Sequence, residues 1–181
     1  YEFGLSKRKA IYIPFKEAYP HIAVIDTDAC TRCGECVKVC EPGAILLDQK
    51  GEEVDVAAGA VTLSTGYRPY EPPEGEYGYK RSGRVLTLFQ LERLLDKDGP
   101  TKGELKLGES VPRNLAFIMC VGSLSTTETA HPYCSRMCCA SALKNMLMIK
   151  ERYPDTEIYA IYKDIRTYGR HDEELYEQTT E

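Results

Sequence analysis

Apolar residues follow two patterns along the chain, short runs typical of strands and a helical spacing. Short runs bounded by turn residues predict strands at 22–26, 44–47, 60–64, 115–119 and 157–162. Four leucines share one helical face just after Thr87, a typical capping residue, and they are Leu88, Leu91, Leu94 and Leu95. Gly99-Pro100 would end this helix, and residues 99–112 would form a loop.

The last third predicts a strand, a helix and a strand. The helix would run from about residue 133 to 151, and Tyr153-Pro154-Asp155 would end it. A βαβ unit of this length implies parallel strands joined by a right-handed crossover. The acidic residues 172–181 would begin another helix.

The first third predicts a smaller motif. Residues 34–40 would form a short helical turn that Pro42-Gly43 breaks. With the strands at 22–26 and 44–47, this turn would make half of a ferredoxin-like module. Residues 68–84, rich in proline, glycine and tyrosine, would be a linker.

Composition excludes several classes of protein. The 181 residues are 43% hydrophobic and 28% charged, as in ordinary soluble domains. The net charge of −5 gives no support for nucleic-acid binding. No apolar run approaches the roughly 20 residues of a membrane span, and residues 1–9 lack the apolar stretch of a signal peptide.

Four of the eight cysteines form one closely spaced run. The pattern Cys30-x2-Cys33-x2-Cys36-x3-Cys40 is typical of bacterial ferredoxins and favours a 4Fe–4S cluster over a zinc site or plain thiols. Gly34 would let the backbone pass close to the cluster. Cys40 would either complete this cluster or serve another.

The other four cysteines are Cys120, Cys134, Cys138 and Cys139. Cys120 follows a strand, at the turn where a dinucleotide-binding fold would carry G-x-G-x-x-G, a motif that the chain lacks. Cys134 and Cys138 would share one face at the start of the next helix. A metal cluster is favoured over a redox-active thiol pair or core packing. Because a disulfide between adjacent cysteines is strained, free thiols and a reducing cytoplasm are expected.

Several segments together resemble the A subunit of heterodisulfide reductase and its relatives in anaerobic microbes. They are residues 9–15 (KAIYIPF), 30–40, 59–67 (GAVTLSTGY), 117–123 (FIMCVGS), 132–142 (PYCSRMCCASA) and 164–170 (DIRTYGR). The resemblance implies an α/β fold, namely part of a thioredoxin-reductase-like FAD enzyme with a Rossmann-like βαβ domain and an inserted ferredoxin-like module. It implies an internal fragment: residues 1–56 as the second half of the insert, 57–111 as part of the FAD domain with a connecting helix, and 112–181 as the βαβ segment.

The resemblance also implies roles for individual residues. Cys120, Cys134, Cys138 and Cys139 would ligate the cluster nearest the flavin. Cys30, Cys33 and Cys36 would ligate a cluster of the insert, and Cys40 the other cluster of that insert. Thr65 and Gly66 would lie against FAD. Lys144 would lie near the redox-active nitrogen of the flavin, although a solvated helix lysine is the simpler alternative.

The resulting hypothesis is an electron-transfer segment of a flavin and iron–sulfur oxidoreductase. The complete enzyme would work with the other subunits of a heterodisulfide-reductase-type complex and with redox partner proteins, and in this family the flavin can split an electron pair. Without the FAD phosphate site, the chain alone would not bind FAD tightly or be active. Two rivals are a zinc-stabilised binding module and a thiol–disulfide oxidoreductase that uses Cys138 and Cys139.

Overall fold

Four α-helices, two short 3-10 helices and four short strands form the regular structure of the chain, whose 181 residues are all described by a computed structural model. The strands are β1 (Ile11–Tyr12), β2 (Val24–Ile25), β3 (Asn114–Ile118) and β4 (Glu157–Ile161). The helices are α1 (Glu35–Val39), α2 (Leu88–Leu95), α3 (Cys138–Arg152) and α4 (Asp172–Thr180). The fold is therefore mixed α/β with two small sheets.

The chain divides into two units, residues 7–67 with Tyr1 and residues 68–181 with residues 2–6. The domain boundaries expected after residues 56 and 111 stay predictions. No helix has the length and apolar character that crossing a membrane requires.

The first unit contains one antiparallel pair and one helical turn. β1 pairs with β2, with Ile11 opposite Ile25, and α1 confirms the turn predicted within residues 34–40. The strand predicted at 44–47 is wrong, because those residues are irregular and the partner of β2 comes from upstream. An apolar run gives only a tendency to extend, and a strand also needs a neighbour with free backbone groups.

The strand predicted at 60–64 is also wrong. Residues 60–64 are irregular and exposed, with Val61 at 78% and Leu63 at 83% of their full accessibility. No residue between 1 and 67 is buried. The first unit therefore has no apolar core.

The second unit is built on the predicted βαβ motif. β3 and β4 are parallel, with Leu115 opposite Ile158 and Phe117 opposite Ala160, and α3 connects them. The start predicted for α3 is wrong by five residues, since the helix begins at Cys138. Arg136 has φ of 62°, which an α-helix does not accept.

Helix α3 supplies the core on two sides. The first apolar cluster contains Met119, Cys120, Cys139, Ala142, Leu143 and Met146. The second contains Leu91, Leu95, Leu105 and Ile149. Leu175 and Tyr176 of α4 pack against the first cluster, so the helix predicted in the acidic end takes part in the core. Burying each large side chain contributes about 1.5–3 kcal/mol.

Helix α2 begins as predicted. Thr87 accepts a hydrogen bond from the Gln90 amide, and the Gln90 side chain accepts one from the Thr87 amide, which makes a capping box. The helix ends at Leu95, before Gly99. Two residues that the sequence left in loops or linkers, Tyr79 and Leu105, are buried.

Candidate metal centres

The loop that carries the first four cysteines is held at its start by Asp26. Its carboxylate accepts hydrogen bonds from the amides of Asp28 (3.0 Å) and Ala29 (3.1 Å) and forms an ion pair with Arg8 (2.7 Å). The hydrogen bond from Arg8 is the largest cause that lowers the pKa of Asp26, followed by the one from Ala29. The loop therefore leaves β2 in a defined direction just before Cys30.

Within this loop the backbone turns sharply between ligand candidates. Arg32 has φ of 55°, and its amide donates to Cys30 Sγ at 3.4 Å. Gly34 has φ of 75° and precedes α1, which carries Cys36. Cys33 is exposed, and the other three cysteines are half-buried. The four thiols therefore lie on a surface loop.

Cys120 of the second set lies just after β3, as the sequence predicts. The Met119 amide extends the ladder by donating to the Ile161 carbonyl at 2.8 Å, and Cys120 then turns with φ of 60° and is 8% exposed. Gly122 has φ of 71°, and the Tyr70 ring lies so close that a Cβ at this glycine would overlap it. An aromatic ring thus occupies space beside this turn.

The residues between Cys120 and Cys134 fold back on themselves. The His131 amide donates to the Gly122 carbonyl (3.0 Å), that of Leu124 to the Tyr133 carbonyl (3.2 Å), and that of Ser125 to the His131 carbonyl (3.1 Å). These hydrogen bonds return the chain toward Cys120. Cys134 therefore approaches α3 through a loop and does not lie on one helical face with Cys138, which corrects the sequence prediction.

Both cysteine regions contain the same local turn, Cys-x-Arg. In each, the arginine has positive φ and its amide donates to the sulfur two residues earlier: Arg32 to Cys30 at 3.4 Å and Arg136 to Cys134 at 3.3 Å. Amide hydrogen bonds to ligand sulfur are among the features that tune iron–sulfur clusters. The repeated C-x-R in the sequence was the available signal for this turn.

The residues after β4 were not given individual roles by sequence reasoning, yet they contact the second cysteine set. The Cys120 thiol donates to the Asp164 carbonyl at 3.7 Å, and the Arg166 amide donates to Cys139 Sγ at 3.4 Å. The carboxyl ends of parallel strands lie at one edge of a sheet. This places the segment after β4 beside the turn after β3.

Cys138 and Cys139 lie at the first turn of α3. Cys139 is 5% exposed. Burial is the largest cause that raises the pKa of Cys139. The hydrogen bond from the Arg166 amide lowers this pKa, and the nearby sulfurs of Cys138 and Cys120 raise it. Thiols that crowd together resist ionisation unless a positive metal compensates their charge.

All eight cysteines are free, as expected. No group of three or more His, Cys, Asp or Glu side chains is close enough to hold a metal ion. The thiol donors and the amides directed at their sulfurs fit an iron–sulfur cluster in chemical type. The assignment of each cysteine as a ligand stays a prediction.

The residues expected near a flavin lie in different surroundings. Thr65 and Gly66 belong to the exposed, irregular end of the first unit. Lys144 is half-exposed and pairs with Glu92 of α2 at 2.7 Å. Burial works to raise the pKa of Glu92, but the hydrogen bonds from Lys144 and Asn145 outweigh it and lower the pKa. In this structure Lys144 links α3 to α2.

Comparison with known proteins supports the cysteine pattern. The family described as "4Fe-4S binding domain" matches residues 22–45, which include all four cysteines of the first set. The chain is 43% identical, over its whole length, to the A subunit of the H(2):CoB-CoM heterodisulfide,ferredoxin reductase of Methanothermobacter marburgensis, of which it covers 28%. It is 44% identical, again over its whole length, to the iron-sulfur A subunit of the CoB--CoM heterodisulfide reductase of Methanocaldococcus jannaschii, of which it covers 28%.

A third relative is the A subunit of the Ferredoxin/F(420)H(2)-dependent CoB-CoM heterodisulfide reductase of Methanosarcina acetivorans, which is 44% identical over 99% of this chain. The chain covers 23% of that protein. It thus spans about a quarter of the length of these curated relatives. The expected resemblance is confirmed: over its whole length the chain is similar to the A subunit of heterodisulfide reductase.

Proposed function

We propose that the chain is an electron-transfer segment of a heterodisulfide-reductase-type oxidoreductase and that both cysteine sets hold 4Fe–4S clusters. The observation that carries the proposal is the match of residues 22–45 to a 4Fe–4S binding family. The similarity to A subunits of proteins named as heterodisulfide reductases gives the second support. A bound 4Fe–4S cluster supplies one-electron chemistry, accepting an electron and passing it on.

The protein residues have three tasks in this proposal. The thiolates of the first set (Cys30, Cys33, Cys36 and Cys40) and of the second (Cys120, Cys134, Cys138 and Cys139) provide the ligands. The amides of Arg32, Arg136 and Arg166 donate to ligand sulfurs. The core around α3 shields two members of the second set from water, since Cys120 and Cys139 are buried. A dry, hydrogen-bonded environment shifts the potential of a cluster.

The proposal extends to the longer protein that the relatives represent. Its fold would be Rossmann-like, which the parallel β3–α3–β4 unit supports. It would bind FAD, with Thr65, Gly66 and Lys144 near the cofactor, and act in a cytoplasmic complex with other subunits and redox partners. For Lys144 to reach a flavin, its ion pair with Glu92 must open or include the cofactor.

Anaerobic iron and sulfide analysis, with an EPR spectrum of the dithionite-reduced protein, tests the proposal. We expect about four irons per cluster and a 4Fe–4S signal. The double variant Cys33→Ser, Cys36→Ser should lose only the first centre. Its matched control, Cys138→Ser, Cys139→Ser, should lose only the second.

Two results would contradict the proposal. Zinc in place of iron would leave a structural binding module. Metal-free protein in which Cys138 and Cys139 form a reversible disulfide would favour thiol–disulfide exchange. Either result would end the electron-transfer interpretation of these cysteines.

A further inference from the structure

The five residues 164–168, here called the strap, follow β4 and cross the second cysteine set. The strap makes a contact at both ends and at its centre. The Asp164 carbonyl accepts from the Cys120 thiol at 3.7 Å, the Arg166 amide donates to Cys139 Sγ at 3.4 Å, and the Tyr168 hydroxyl donates to the Arg136 carbonyl at 3.1 Å. The strap therefore touches the turn after β3, the first turn of α3 and the loop between them.

The centre of the strap carries a positive charge into this site. Arg166 Nε donates to the Asp164 carboxylate at 2.8 Å, so the guanidinium is paired with a carboxylate of the same strap. The hydrogen bond that Arg166 donates to Asp164 raises the pKa of Arg166 most, and the sulfur of Cys134 and that of Cys120 raise it further. Because the Arg166 backbone lies 3.4 Å from Cys139 Sγ, this residue carries its charge next to the second cysteine set.

We propose that the positive charge of Arg166 raises the reduction potential of the cluster held by the second cysteine set. The negative charge of Asp164 would partly cancel this effect. The inference rests on the proposed function. Reduction adds one electron to a cluster, so a nearby positive charge stabilises the reduced form and a nearby negative charge destabilises it.

The tasks of the strap can be separated by substitution. The Arg166 amide bonds to Cys139 through the backbone, so it is kept when the side chain changes. The Arg166 side chain contributes charge. Tyr168 contributes a hydrogen bond, and its ring lies under the Arg136 guanidinium at 5.0 Å, but it adds no charge. A charge effect and a packing effect of the strap therefore predict different results.

The experiment is a redox titration, followed by EPR, of the full chain purified anaerobically with its clusters. The background carries Cys33→Ser and Cys36→Ser so that the signal comes from the second centre. We expect Arg166→Gln to lower the reduction potential and Asp164→Asn to raise it. Arg166→Lys should keep most of the wild-type potential. Tyr168→Phe, the matched control within the strap, should leave the potential unchanged.

Several outcomes would overturn the inference. Charge variants that shift the potential in the same direction, or not at all, would show that the strap acts by packing or is not involved. A shift in Tyr168→Phe as large as that in Arg166→Gln would show the same. If Arg166→Gln does not fold, Asp164→Asn alone tests the inference. A reduction potential of Asp164→Asn equal to or below that of the wild type contradicts the charge effect.

The test also separates this inference from the function on which it rests. A wild-type protein without iron overturns the proposed function and this inference with it. A protein that carries iron and shows a 4Fe–4S signal, but has the same potential in all variants, overturns only the role of Arg166 and Asp164.

Discussion

Residues 30–40 and 120–139 each carry four cysteines and one Cys-x-Arg turn, but the structure beneath the two loops differs. The first loop lies in a unit without a buried residue, held by a two-residue strand pair and the contacts of Asp26. The second begins at a parallel strand and ends on α3, where Cys120 and Cys139 are themselves core residues. Two similar sets of candidate ligands therefore lie in different surroundings, one in a unit without an apolar core and one on a packed core.

This difference indicates what each region needs in order to fold. A unit without an apolar core is stable only with another source of free energy, and a bound metal centre is a common one. A unit with two apolar clusters keeps its fold by burial alone. The comparison predicts that the first region depends on the cluster proposed for it, whereas the second region would hold its proposed cluster in a fold that already exists.

Removing iron gives the largest expected difference between the regions. After anaerobic chelation, we expect the amides of β2 and α1 to lose most of their protection from hydrogen exchange, while those in the middle of α3 keep theirs. Exchange measured by mass spectrometry, with and without chelator, checks this. Equal loss in both units would show that the βαβ core also depends on metal.

Core truncation should affect only the second unit. Leu143 is 2% exposed, so Leu143→Ala should lower the free energy of unfolding by about 2–5 kcal/mol. The matched control, Leu63→Ala, alters an exposed side chain and should change it by less than about 0.5 kcal/mol. Urea denaturation followed by far-UV circular dichroism measures both. A large effect of Leu63→Ala would mean that residues 60–64 are buried in solution.

Gly122 tests the turn that follows Cys120. Both Gly122→Ala and its control Gly108→Ala place a side chain at positive φ, which costs about 1–2 kcal/mol. Only Gly122 has the Tyr70 ring against it, so its substitution should cost about 1–3 kcal/mol more. Thermal denaturation of both variants measures the difference. Equal costs would show that Tyr70 moves aside freely.

The link between α2 and α3 gives the smallest expected effect. Glu92→Gln weakens the contact with Lys144 and should lower the free energy of unfolding by roughly 0.5–1 kcal/mol at neutral pH. Because the folded-state pKa of Glu92 is lowered from its ordinary 4.5, this contribution is present above that value and is lost as the pH falls through the folded-state pKa.

Urea denaturation between pH 3 and 7 checks the Glu92 prediction, and Glu151→Gln, an exposed carboxylate on α3, is its control. The difference between wild type and Glu92→Gln should shrink toward acid pH. A difference that stays constant would show that the ion pair does not stabilise the fold.

Sequence reasoning succeeded where one segment carries its own signal. The capping residue and leucine spacing of α2, the alternation of strand and helix in the βαβ unit, and the ferredoxin-like cysteine run are all local patterns, and the comparisons support the last of them. It failed at 44–47 and 60–64, because an apolar run does not reveal whether a neighbouring strand is available. It also started α3 too early, because nothing in the local pattern marks the positive φ of Arg136.

The sequence by itself determined the two cysteine sets, the family resemblance and the existence of the main helix, since each depends on spacing along the chain. Only the tertiary structure decided which residues distant in the chain contact the second cysteine set and the main helix. Tyr70 lies against Gly122, Glu92 binds Lys144, and Arg166 approaches Cys139. These contacts join residues between 27 and 52 positions apart in the chain, where sequence periodicity carries no information and only packing brings the groups together.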